Sequence, residues 1–401
     1  MDYQELIKQA HTKQADMVRI RRELHQTPEF ALNLPKTLEI VLREAGHLGE
    51  VTLGKDMTAA AILIRGANPG PTVLLRADMD ALAVIEDTGL DFASTNGYMH
   101  ACGHDLHMAM GIGAAHLVSE NKDKLNGNVL MFFQPGEEGH DGAGHMLAQN
   151  MHMVSGEKPI AAYELHVFSL PEPGIFMTRK DTLMASAGDM IVKISGRGGH
   201  GSMPWTAQDP ITGMIEILST MQSYIAKNID ALDPIVVNVG WIKAGDDHTT
   251  NVIPETAMIN GTMRAVSERT RTLIHDGIRR VAEGIAAAHG MEAEVELNMG
   301  YDVTVNDADY AMFAADVATA VSGDRNVRIM DNPVMGAEDF SYVLNRVKGS
   351  MMFLGLMPEG MDIMKAAPNH SNRAIYEETY MRRGAAVYSS VALRHLGVEL
   401  S

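Results

Sequence analysis

Pro71-Thr-Val-Leu-Leu75, followed at once by Arg76-Ala-Asp78-Met-Asp80, is an apolar run closed by a cluster of charges. The same arrangement recurs downstream, where Asn128 to Phe133 runs into Gln134-Pro-Gly-Glu137-Glu138 and Ile160 to Leu165 runs into His166. Ala59 to Ile64 is a fourth run of this kind. Short, continuously hydrophobic segments are the pattern of strands buried on both faces. Helical spacing from about His104 to Val118 and from Gly142 to Asn150 separates the later ones, which is the alternation of an α/β sheet with many parallel strands. Open sheets of this type place ligands at the carboxyl ends of their strands. The charged clusters therefore read as parts of one site.

Between the runs Pro71 to Leu75 and Asn128 to Phe133 lies His100-Ala-Cys-Gly-His104-Asp-Leu-His107, which holds the chain's single cysteine two positions before a histidine. A thiolate and a neutral imidazole are donors suited to zinc. The bland alternative is a small buried hydrophobe beside a solvated histidine, and the motif lacks the second cysteine pair of a structural zinc module. Glu137 and Glu138, if extended, point in opposite directions, so that one can bind metal while the other holds a proton. A solvated acidic loop is the other reading of that pair. His166 is either a core histidine or a further ligand, and His370, in a loop before a helix, stays open in the same way. His107 and His116 read as structural, on a helix that partly faces the core.

The composition narrows the class of partner. A formal charge of −18, from 51 acidic and 33 basic residues, disfavours nucleic acid and anionic membranes. No stretch reaches the roughly 18 apolar residues of a membrane helix, no basic and apolar leader opens the chain, and one cysteine makes no intrachain disulfide, so the expected location is cytoplasmic. The 401 residues suffice for two domains. Leu6, Ala10, Met17, Ile20 and Leu24 mark a first helix, and Pro35 to Gly46 a second, with glycine as its stop; both are expected to cover the sheet. From Asp189 the rhythm becomes βαββαβ, with strands at Met190 to Ser195, Ile235 to Trp241, Ile253 to Arg264 and Glu292 to Asn298, and helices at Ile211 to Ile225 and Arg271 to Ala288. Gly196 to Pro204 reads as a flexible loop. The expected division is 1–186 and 303–401 for a first domain and 187–302 for one inserted into it. Helices at Tyr310 to Val321 and Ala374 to Leu396 and a strand at Met351 to Leu356 complete the first. The pair Gly111-Ile-Gly113 lacks the third glycine of a dinucleotide fingerprint and says nothing about function.

Taken together, Arg21-Arg-Glu-Leu-His-Gln-Thr-Pro-Glu29, Arg76-Ala-Asp-Met-Asp-Ala-Leu82, His100 to Asp105, Gln134-Pro-Gly-Glu-Glu138, Gly199-His-Gly-Ser202, Asn251-Val-Ile-Pro254 and Gly336-Ala-Glu-Asp-Phe340 resemble the amidohydrolase branch of the aminoacylase and carboxypeptidase family of two-metal hydrolases. The resemblance spans nearly the whole chain. It implies a zinc-peptidase-like α/β catalytic domain with a mixed, largely parallel sheet, interrupted by a smaller α+β lid that also serves for dimerisation. It further implies two divalent ions, zinc first with manganese or cobalt as alternatives, bridged by Cys102 and completed by His104, Glu138, His166 and His370. Glu137 is then the general base. His200 steadies the oxyanion in the site of a second subunit, and Asn251 and Arg264 hold the substrate carboxylate. Ser371-Asn372 departs from the family's Ser-Pro after the last histidine, which bears on that loop's shape.

The expected activity is hydrolysis of an N-acyl amino acid to a carboxylic acid and a free amino acid. A dipeptidase, a carboxypeptidase or an N-acetyl-diaminopimelate deacetylase would use the same metals. A metal-dependent binding protein with lapsed catalysis is the alternative from another class, disfavoured because a binder needs neither a proton shuttle nor an oxyanion donor. Several of the 30 methionines lie near the motifs, which suits either an acyl pocket or ordinary core filling.

Overall fold

The apolar runs become strands of one large sheet in a computed structural model that describes residues 3–400. In chain order the first elements are α1 (Tyr3–Gln26), α2 (Pro35–Ala45), β1 (Glu50–Leu53), β2 (Ala60–Arg65), β3 (Asn68–Asp78), α3 (His104–Glu120), β4 (Asn126–Gln134), α4 (Gly142–Ala148), β5 (Ala161–Phe168), β6 (Phe176–Thr178) and β7 (Asp181–Met184). Then come β8 (Gly188–Ser195), β9 (Gly199–His200), α5 (Pro210–Asn228), β10 (Ile235–Ala244), β11 (Val252–Ile253), β12 (Thr256–Ala265), α6 (Glu268–Ala288) and β13 (Glu292–Asn298). The chain closes with β14 (Thr304–Asn306), α7 (Ala308–Ser322), β15 (Val327–Ile329), α8 (Ser341–Leu344), β16 (Gly349–Gly355) and α9 (Met381–His395). Two units result, one of Met1–Leu183, Val305–Asn332 and Asp339–Ser401, the other of Met184–Thr304 and Pro333–Glu338.

The first unit is built on an eight-stranded sheet in the order β1-β2-β4-β3-β5-β16-β6-β15. Its centre, β4-β3-β5-β16, is parallel, and antiparallel pairs flank it. The central strands outrun their apolar segments, so Arg76 to Asp78 and His166 lie inside β3 and β5 and not beyond them. Strands end where backbone pairing ends, and here polar side chains with buried partners let the ladder continue. β1 escaped the hydrophobic pattern because all four of its residues are exposed.

Over the sheet lies α3, apolar and buried on nearly every side. α1 packs chiefly on α3 and α9 and so forms an outer layer, in place of the expected cover on the sheet itself. The glycine pair of α3 makes this approach close: a Cβ at Gly111 would sit 3.2 Å from that of Ala77 in β3, and one at Gly113 2.5 Å from Met17 Sδ in α1. Gly46 is no left-handed stop, since its φ of −60° carries α2 into a further helical turn. The last helix starts at Met381, seven residues later than its pattern suggested, because the preceding segment is engaged elsewhere. Glu377 N donates to Leu356 O, and the Glu378 carboxylate receives Arg21 and Arg22.

The second unit holds a four-stranded antiparallel sheet, β10-β12-β8-β13, packed against α5 and α6. Met190, Val192 and Ile194 alternate inward from β8 to meet Met214 and Ile217 of α5 and Ile274 and Ile278 of α6. Asp209 caps α5 and Ser267 caps α6. The run expected from Ile253 to Arg264 breaks at Pro254, which has no amide hydrogen for a ladder. The residues before the break form β11, which pairs with β9. The segment expected to be a flexible loop thus contains a strand. Pro333–Glu338, expected in the first domain, joins this unit because Val334 O accepts from Ala185 N.

One buried group ties the central strands of the first unit together. Arg76 Nη1 donates to Asp78 and Glu164, both at 2.6 Å, Nη2 to Asp339 at 2.9 Å, and Nε to Gln134 at 3.0 Å. Asp339 also accepts from the Ala143 amide in α4. Replacing Arg76 by Met is expected to destabilise the fold by about 3–5 kcal/mol, because three buried carboxylates lose their counter-charge. Denaturant unfolding measures this, and parental stability would contradict it.

Candidate metal centre

Five sequence-predicted residues converge in the first unit. Cys102, His104 and His166 form one group of metal donors and Cys102, Glu138 and His370 another, the donor atoms of each lying within 4.8 Å of one another. The sulfur belongs to both. His166 Nε2 is 3.5 Å from Cys102 Sγ, and His370 Nε2 is 3.2 Å from the same sulfur and 3.2 Å from Glu138 Oε1. Glu137 Oε2 and Glu138 Oε1 approach His104 Nε2 at 4.0 and 3.9 Å. The two glutamates do not diverge along a strand as their adjacency suggested. Gly136, at φ +71°, turns the chain, and both then sit in a turn whose amides donate to one carboxylate, that of Asp80.

Several of these donors are positioned by neighbours. His104 Nδ1 donates to the Asp80 carbonyl at 2.8 Å, which leaves Nε2, a buried nitrogen with no hydrogen-bond partner, towards the other donors. A histidine fixed through its far nitrogen with the near one left open is how metal-ligating imidazoles are held. Gly103, at φ +87°, lets the chain turn from Cys102 into α3, and a Cβ there would meet Val167 at 2.4 Å. Asn369 Nδ2 donates to the carbonyls of Val167 and Cys102, joining the His370 loop to β5 and to the cysteine. His370 takes a left-handed φ of +69° while its amide donates to Ala101 O. Both ring nitrogens of His107 are engaged: its Nδ1 bonds Asp78 at 2.5 Å and its Nε2 accepts from the Val167 amide.

The charges of the pocket favour a cation. Hydrogen bonds with Cys102 and Glu138 push His370 up to about 10 against the opposing effect of burial. Burial also opposes the charged form of His104, yet Asp78 and Asp80 raise it well above the usual histidine range. Burial and then His107 push His166 the other way, which favours its neutral form. A proton or a metal ion answers the same excess of anions. With an open buried imidazole and one thiolate common to two triads, the residues fit a pair of divalent ions.

Sequence reasoning placed the Arg76-to-Asp80 cluster in the site without giving its members individual roles, and overlooked Asp339, Asn369 and a buried chain behind α3. There Arg21 Nε and His25 Nδ1 both reach Asp105 Oδ2 at 2.8 Å, and His25 Nε2 lies 3.1 Å from Glu86. Arg21, His25, Asp80, Asp105 and Asp339 stand inside motifs already quoted, the one signal that could have exposed them. His200, Asn251 and Arg264 lie in the second unit. Val252 pairs with His200, and Gly201 N donates to Asn251 O, so two of the three are neighbours. The exposed His200 ring accepts at Nδ1 from the Ser202 amide at 3.1 Å. Arg264, on β12, donates from Nη1 to Thr262 and to the Met263 carbonyl.

A parallel sheet with thiolate, imidazole and carboxylate donors gathered at its strand ends defines a metal-binding hydrolase of the metallopeptidase type. The chain belongs to peptidase family M20/M25/M40, whose sequence profile matches residues 74–394. It is 34% identical over 384 residues to thermostable carboxypeptidase 1 of Saccharolobus solfataricus, covering 94% of this chain and 95% of that one. To N-acetyldiaminopimelate deacetylase of Streptococcus suis it is 35% identical over 351 residues, covering 85% and 90%. A dinuclear metal-binding peptidase of Bacillus subtilis superposes with a TM-score of 0.79 at 27% identity, over 96% of this chain and 99% of that one. Among the described residues no helix is long and apolar enough to cross a membrane.

Glu86 generates a prediction in pH. Although burial opposes ionisation, bonds with His25 and Thr88 lower its pKa from 4.5 to about 2. A depressed carboxylate contributes stability above its unfolded value that is lost as pH falls through the folded one. Between pH 4.5 and 2 the protein is expected to lose on the order of 2 kcal/mol from this group. Unfolding curves of Glu86→Gln should be correspondingly flatter in that window, and curves parallel to the parent's would refute the assignment.

Proposed function

We propose that the protein is a two-metal amidohydrolase that cleaves N-acyl amino acids, with zinc as its first-choice metal. The observation that carries this reading is the sharing of Cys102 between two donor triads, with a second glutamate, Glu137, 4.0 Å from His104. Once bound by Cys102, His104, Glu138, His166 and His370, two such ions supply Lewis acidity to a carbonyl and acidity to water. Glu137, 5% exposed, would take a proton from a water and return it to the leaving nitrogen. Since Nδ1 of His200 accepts a hydrogen bond from the Ser202 amide, Nε2 is the ring nitrogen left to act as a donor, as an oxyanion would require. Arg264 keeps guanidinium donors beyond the Nη1 bonds it makes within its strand, which suits a carboxylate. Asn251 would share that carboxylate. The similarity to an N-acetyldiaminopimelate deacetylase supports an N-acyl amino acid as substrate. The comparable similarity to a carboxypeptidase supports peptides as the second reading.

We also propose a homodimer formed through the inserted domain, 187–302, in the cytoplasm. β10 is an edge strand of ten residues that exposes Val236, Trp241 and Ile242. An unprotected apolar edge is a template for pairing with a second chain.

Mass spectrometry of a mixed library of N-acyl amino acids and peptides tests the substrate, and release of amino acids from peptides alone would favour the second reading. Glu137→Gln is expected to lower turnover by roughly 100- to 10,000-fold while metal content stays near that of the parent. Unchanged turnover would remove Glu137 from its role. Replacing Trp241 and Ile242 by Lys should convert a dimer to a monomer in sedimentation analysis, and an unaltered mass would place the interface elsewhere.

A further inference from the structure

Away from the metal centre, a cavity of about 620 Å³ opens in the first unit among the beginning of α1, the end of α7 and the beginning of α9. Ile7 and Val321 supply apolar wall, and Lys8, His11, Arg382 and Arg383 are its cationic or protonatable lining. Among the described residues none of these four makes an ion pair. Arg382 Nη1 lies 2.7 Å from His11 Nδ1, and the Arg383 guanidinium lies 4.9 Å from the centre of the Tyr380 ring. Both arginines are half-buried, so they have lost part of their hydration without gaining a carboxylate. Arg21, Arg22, Arg43 and Arg76 all have carboxylate partners, whereas Arg382 and Arg383, like Arg264, have none among the described residues. Half-buried unpaired cations are costly and are ordinarily met by an anion. Guanidinium groups in particular match planar carboxylates through two hydrogen bonds.

We propose that this cavity is a binding site for a small organic carboxylate with an apolar body, its charge held by Arg382 and Arg383 with Lys8 at the rim, and its body against Ile7 and Val321. The site stands apart from the metal donors and does not depend on the catalytic reading above. None of its residues belongs to the machinery assigned there.

The probe is 4-bromobenzoate, with the neutral 4-bromobenzamide and inorganic phosphate as controls, applied to the full-length metal-loaded protein. Crystals soaked in the bromo acid should show an anomalous bromine peak in the cavity. In calorimetry the Arg382→Gln/Arg383→Gln double variant should lose that binding event, with affinity lower by about tenfold or more, while its turnover stays parental. Lys8→Gln, a change at an exposed position, provides a milder loss if the double variant folds poorly. No bromine peak in the cavity, equal binding by the amide, equal or tighter binding of phosphate at this site, or parental affinity in both variants would overturn the proposal.

Discussion

A single guanidinium with three carboxylates governs the interior of the larger unit. Arg76 is 1% exposed, and Asp78, Glu164 and Asp339 around it are buried as well, which leaves an excess of negative charge in a medium that screens it poorly. Such a cluster persists only when every member is hydrogen-bonded, and each is. Gln134 bridges Arg76 and Asp339, and His107 takes the second oxygen of Asp78. Burial alone would protonate Asp78, but Arg76 and then His104 and His107 hold its pKa well below the usual range. The cost of assembling these charges is repaid in geometry, since the carboxyl ends of β3, β4 and β5 are fixed to one planar group.

The metal donors inherit that geometry. β3 leads to Asp80, whose carboxylate binds the amides of Glu137 and Glu138 and whose carbonyl orients His104. β5 carries Glu164 to the arginine and, two residues on, His166 to the sulfur, on the same face of the strand. Cys102 sits on a turn that only a residue free to adopt positive φ can complete, and Gly103 supplies it. Behind this turn Asp105 is gripped by Arg21 and His25, so α1 anchors the start of α3 from the other side. Hydrogen bonds with Cys102 and Glu138 push His370 up to about 10, and a divalent ion would satisfy the same groups.

Much of this was legible in the chain itself. The central strands, the long helices and the βαββαβ order of the smaller unit follow from hydrophobic periodicity, because burial on one or both faces imposes a period that survives in the sequence. Errors fell where periodicity carries no information. β1 is wholly exposed, α9 begins late because Glu377 and Glu378 are bound to other segments, and the Glu137-Glu138 pair turns where an extended strand was expected. The pair Gly111 and Gly113 looked like a failed cofactor motif, and its use is the close approach of α3 to β3 and α1.

By itself the sequence determined which residue types were on hand for chemistry, one thiolate, a pair of glutamates and several histidines, and that the runs before them were buried strands. Both are properties of local composition. Only the tertiary structure decided that Cys102 stands in both triads, that His104 presents Nε2 and not Nδ1, and that Arg76, Asp80 and Asn369 hold the donors in place. Those facts depend on contacts between segments up to 268 residues apart, such as His370 with Cys102, and on a balance of buried charges that no linear spacing encodes.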